Sequence, residues 1–216
     1  MLYMSYAKRF WTEFKKIIAN EIAQNANFMD IYKSNRYTHI MNDADGVIYN
    51  TIKAIDSSMN FQKEYLRVDV TAWKSVFDGK HDWHDAENWK EKFRERHLKP
   101  HLWNLYFAVE HENKHEDWLD EVLKLAHLRC PLKVVIGYVP AGKRNNDYSG
   151  DKERLELAVE CLKWTKAYER QPDTYVNNGG GYEEFLVILG NCSGKYDEPN
   201  YKGYLFNGID RFEEIG

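Results

Sequence analysis

The stretch WNLYFAVE, Trp103 to Glu110, reads as a strand, and just beyond it Trp118, Leu119, Val122, Leu123 and Ala126 recur at helical spacing. Leu132 to Val139 comes next, an apolar run containing Val and Ile that is long enough for a strand and too short for most helices. Strand, helix and strand in immediate succession argue for an α/β domain with neighbouring strands joined through a helix.

The pattern extends in both directions. Downstream, Leu155, Ala158, Val159 and Leu162 mark a helix, the five apolar residues Phe185 to Leu189 a buried central strand, and Tyr204 to Phe206 a last strand. Upstream, Glu64 to Trp73 alternates, with Leu66, Val68 and Val70 facing one way and Arg67, Asp69 and Thr71 the other. Before it, Ile48, Ile52, Ile55 and Met59 follow the turn-like Asp43, Asp45 and Gly46 at helical spacing. Tyr6 to Gln24 carries Phe10, Phe14, Ile17, Ile18 and Ile22 on one helical face, with Glu21 on that same face. The expected architecture is a mixed central sheet flanked by helices. One domain over residues 1–216 is expected, with the polar residues 74–102, rich in Trp, His and charge, as a helical or loop insertion.

Composition narrows the class. A chain of 216 residues with 43% hydrophobic content can bury a sizeable core. Net charge is only -4 with both signs interspersed, so any nucleic-acid surface must be a local patch rather than the whole molecule. Cys130, Cys161 and Cys192 are odd in number and widely spaced, which argues against a disulfide framework or a thiolate metal site. Met1 to Gln24 is interrupted by charges and lacks the run of a signal peptide, and no segment approaches transmembrane length, so a cytoplasmic protein without membrane contact is expected.

Carboxylates are the chemistry that stands out. Hydrolysis of a phosphodiester needs charge neutralisation and an activated water, and acidic side chains holding Mg²⁺ or Mn²⁺ supply both. Asp69 lies within one strand, and Glu110 and Glu112 end the next at i and i+2, which directs both to one face. Here the chain resembles the PD-(D/E)XK nuclease superfamily, whose core is a helix, then strands, a helix and a further strand. Val68-Asp69 matches the motif aspartate and Glu110-His111-Glu112 its second half, with Glu112 in the lysine position and Val68 in the proline position.

The resemblance covers roughly Tyr6 to Val139 and implies a restriction-endonuclease-like fold acting on DNA, a homodimer being an assembly open to it. By resemblance, Asp69, Glu110 and the backbone carbonyl of His111 would hold the metal, and Glu112 would orient or deprotonate the attacking water. Glu21 would add an acid from the first helix. Lys74, Lys114 and Lys133 are candidates for a relocated lysine. A non-catalytic binding protein of the same fold is the alternative.

His111-Glu112-Asn113-Lys114-His115 is also a literal HExxH match, the zinc signature of metallopeptidases. That chemistry requires all five residues to be helical, whereas Trp103 to Glu110 reads as strand and Asn113 as a helix cap. His81, His84, His97 and His101 fall among the Trp and basic residues of the insertion, where solvated side chains are expected. Gly190 to Tyr196 is one residue short of a phosphate loop.

Overall fold

A computed structural model describes residues 5–25, 36–75, 103–113, 118–139, 149–165, 183–191 and 200–216. In chain order the elements are α1 (Tyr6–Gln24), α2 (Arg36–Asn42), α3 (Val47–Ile55), β1 (Asn60–Tyr65), β2 (Val68–Ser75) and β3 (Trp103–His111). There follow α4 (Trp118–Ala126), β4 (Leu132–Tyr138), α5 (Ser149–Trp164), β5 (Glu184–Asn191), β6 (Asn200–Phe206) and β7 (Phe212–Ile215). The seven strands form one mixed sheet whose spatial order is their order in the chain. β1 to β3 are antiparallel, β3 to β5 parallel, and β5 to β7 antiparallel again. The expectation of a mixed sheet flanked by helices is met.

Two cores lie on the two faces of this sheet. One gathers Phe10, Phe14 and Ile18 of α1, Met41 of α2 and Ile48 and Ile52 of α3 against Val70, Phe107, Val109, Val134 and Ile136. The other gathers Trp118, Val122 and Leu125 of α4 and Ala158 and Leu162 of α5 against Ala108, Val135, Val187 and Leu189. β4 therefore has an apolar layer above and below, and all seven of its residues are buried, which is why its sequence is apolar apart from Lys133 and does not alternate. Among the described residues, α4 lies between β3 and β4 and α5 between β4 and β5, and both lie on the second face. Gly137 permits this packing: a Cβ there would stand 2.7 Å from Trp118 Cβ. The Ser5 hydroxyl caps α1 by accepting from the Lys8 amide at 3.1 Å, and the Glu184 carboxylate accepts from the Ala7 amide at 2.9 Å.

Three details depart from the sequence reading. Glu64 to Trp73 is not one strand but a hairpin: Tyr65 pairs with Val68, leaving Leu66 and Arg67 as a two-residue turn. Both have positive φ, +52° and +65°, and Leu66 is exposed rather than packed with Val68 and Val70. Among the described residues the short α2 is a further helix before the sheet, and β7 is an edge strand beyond β6. Ser75 pairs with Trp103, so residues 76–102 join two adjacent strand ends. Among the described residues no helix is long and apolar enough to cross a membrane.

Candidate active site

Pairing of Val70 with Val109 and of Thr71 with Ala108 brings the next residues outward, Asp69 and Glu110, side by side on β2 and β3. The His111 amide donates to Asp69 Oδ2 at 2.8 Å, fixing that carboxylate against β3. Glu110 pairs with Val135 of β4 and, like Ala108 two residues earlier, belongs to the face covered by α4. Its side chain is only 3% exposed.

α4 completes the arrangement. Trp118, Val122, Leu125 and Ala126 anchor its apolar face, while Glu121 and Lys124, one turn apart, reach toward the strand ends. Lys124 Nζ lies 2.8 Å from Glu110 Oε1, forms an ion pair with Glu121, and donates at 3.0 Å to the carbonyl of Arg67 in the β1–β2 turn. Glu110 Oε1 and Glu121 Oε2 are buried without an aligned hydrogen bond, so the ammonium holds them by charge.

Electrostatics follow from this crowding. Burial pushes the Glu110 carboxyl up to about 8; Lys124 opposes that, and the charges of Asp69 and Glu121 add to it. Burial also raises Asp69, against the His111 amide and with the help of Glu64 and Glu121. For Lys124 burial disfavours the charge, yet Glu110 and Glu121 outweigh it and its pKa is raised. Asp69, Glu110 and Glu121 thus share the ammonium of Lys124, and Glu64 adds negative charge beside Asp69.

Among the described residues no three His, Cys, Asp or Glu side chains converge into a ready metal site. The donor set is nevertheless all oxygen, the type that suits Mg²⁺ or Mn²⁺ rather than a soft ion. The Glu110 and Glu121 oxygens that face Lys124 already meet its ammonium, so a hard divalent cation bound here would share or displace that charge. On that chemistry the residues fit such an ion.

The other sequence candidates are placed as follows. Glu112 is the first residue after β3, half-buried, with its amide donating to the Ile136 carbonyl at 2.9 Å. The charges acting most strongly on Glu110 are those of Lys124, Asp69 and Glu121. His111 reaches Asp69 through its amide, while its ring lies buried on the opposite sheet face, Nε2 2.8 Å from the Tyr138 hydroxyl and the ring edge-on to Tyr37. Burial drops its pKa to about 3, so the imidazole is neutral.

Since His111 is a strand residue and Glu112 and Asn113 are outside any helix, the zinc-motif spacing is not formed; Lys114 and His115 lie outside the described residues. Glu21 is on α1, whose buried side covers the opposite face, and it lines a groove with Arg36, His39 and Asp43. Lys74 pairs with Asp56 at 2.6 Å, and Lys133 is buried in an ion pair with Glu183 at 2.6 Å. The histidines of the insertion lie outside the described residues. Lys124, Glu121 and Glu64 were not among the sequence candidates; the signal for the first two was an i, i+3 acid–base pair on α4, a pattern ordinary surface helices share. Comparison of the sequence with protein-family models and with curated proteins gave no match.

Proposed function

We propose that this chain is a metal-dependent nuclease-like hydrolase of DNA phosphodiester bonds, acting through Asp69 and Glu110, with Lys124 in the part that the motif lysine plays in the PD-(D/E)XK superfamily. The observation that carries this is the convergence of two acids from adjacent strands with one ammonium, 2.8 Å from Glu110. The order α1, β1-β2-β3, α4, β4 supports it, because it follows the core order of that superfamily with α2 and α3 added after the first helix. The lysine absent at Glu112 would come from α4 instead.

In this reading Asp69, held by the His111 amide, and Glu110 would bind Mg²⁺ or Mn²⁺, which would supply positive charge to the phosphate and to water activation. Burial raises the Glu110 pKa, so an ion bound there would compete with a proton. Lys124 stabilises the ionised form of Glu110 and offers a positive charge to an approaching phosphate. DNA is the proposed partner, and a homodimer remains part of the proposal.

The test is cleavage of plasmid and linear duplex DNA with Mg²⁺ or Mn²⁺. Asp69→Asn, Glu110→Gln and Lys124→Met are each expected to lower the rate by roughly 10²–10³. Cleavage that survives Asp69→Ala combined with Glu110→Ala overturns the assignment. A nuclease-fold protein that binds without cutting is the second reading, favoured by the position of Lys124, whose ammonium already neutralises the acids. It predicts no heat of Mn²⁺ binding in calorimetry.

A further inference from the structure

The turn between β1 and β2 is built from residues that its backbone does not favour. Two-residue hairpin turns with positive φ at both positions select Asn-Gly or Asp-Gly, because larger side chains crowd the left-handed region. Here the positions hold Leu66 and Arg67, and Glu64, two residues before Leu66, is also left-handed at +56°. Side chains held in a backbone conformation they do not favour point to a role outside the turn itself.

Location gives that work a direction. The Arg67 carbonyl accepts from Lys124 Nζ at 3.0 Å, and the same ammonium lies 2.8 Å from Glu110, so the turn stands directly over the acids. Leu66 is 63% exposed and projects an apolar side chain into solvent at this lip, with the exposed Arg67 beside it. A cluster of carboxylates repels a phosphate; an exposed guanidinium two residues along the chain from Asp69 supplies positive charge against that repulsion, and an exposed leucine packs on a base or sugar face.

From this geometry we infer that the Leu66–Arg67 turn is a nucleic-acid contact of the candidate site. Arg67 pairs with a backbone phosphate and Leu66 packs against the adjoining nucleotide. The inference rests on the nuclease reading for its choice of partner.

The experiment is fluorescence anisotropy of a fluorescein-labelled DNA duplex with the full chain in Ca²⁺ or EDTA across a salt series, so that binding is read without cutting. Leu66→Asn and Arg67→Gly both suit the turn, and thermal melting confirms that the fold is kept. Leu66→Asn is expected to weaken binding roughly tenfold with the salt slope unchanged. Arg67→Gly is expected to weaken it and to reduce the slope by about 0.9, the loss of one phosphate contact. Wild-type-like binding by both variants overturns the inference, even if the protein cleaves DNA. So does a wild-type chain that binds no duplex. Weakened binding by the variants of a chain that never cleaves upholds the contact while defeating the cutting reading.

Discussion

Replacing Glu110 with glutamine should make the protein more stable, by an amount that depends on pH. The wild-type carboxyl is moved from 4.5 to about 8, chiefly by burial. A raised pKa means that the folded state binds this proton more tightly than the unfolded chain does. Its stabilising contribution is therefore complete below about pH 4.5 and is lost as pH rises toward about 8. At about 1.36 kcal/mol per pH unit the full span corresponds to roughly 5 kcal/mol, of which about 3 kcal/mol is gone by about pH 7.

The glutamine amide of the Glu110→Gln variant has no proton to lose, so the difference between variant and wild type should widen with pH over that window. His111 contributes the opposite slope, since burial lowers its pKa from 6.5 to about 3, but both proteins keep it and it cancels in the difference. Urea denaturation followed by tryptophan fluorescence at several pH values is the assay, and a relative midpoint shift of about 1 M or more is expected between the ends of the range. Parallel curves for the two proteins would refute the reasoning.

Three further outcomes are expected. Lys133→Met leaves the Glu183 carboxylate buried without its partner and should cost about 3–5 kcal/mol in chemical denaturation, whereas Lys133→Met with Glu183→Leu should return to near wild type. Gly137→Ala forces a Cβ to within 2.7 Å of Trp118 Cβ; the α4 packing should loosen by roughly 1–3 kcal/mol, seen as a lower melting temperature and a shifted emission maximum. Leu66→Asn with Arg67→Gly relieves two left-handed positions and should raise stability by about 1 kcal/mol, read as a higher urea midpoint.

The parts of the fold that showed in the sequence are those whose burial is one-sided or complete. α1 announced itself by its stripe, and β4 and β5 by largely apolar runs, because helices cover both faces of the central strands. The hairpin was hidden because Leu66 continues the alternation of Val68 and Val70 and no Gly, Pro, Asn or Asp marks the turn. α2 escaped because Tyr37 and Met41 form only one turn of apolar spacing. For the site, Asp69 and Glu110 were visible as acids at strand positions. Their joining by Lys124 was not, since sequence does not say which sheet face a helix will cover. The same ignorance placed Glu21 with them, although α1 packs on the other side.

The coincidence of spatial and chain order in the sheet bears on how the molecule is assembled. During synthesis each emerging strand meets the edge laid down just before it, so no strand has to be threaded between two that are already paired. Such an order permits growth by accretion, strand by strand, since every pair in the sheet joins neighbours in sequence. The vulnerable moment comes when β3 is complete and β4 has yet to emerge: the backbone edge of β3 that pairs with β4 then waits unpaired until α4 has been made. Aggregation during expression would be concentrated in that interval, and shielding of the nascent chain would count most there.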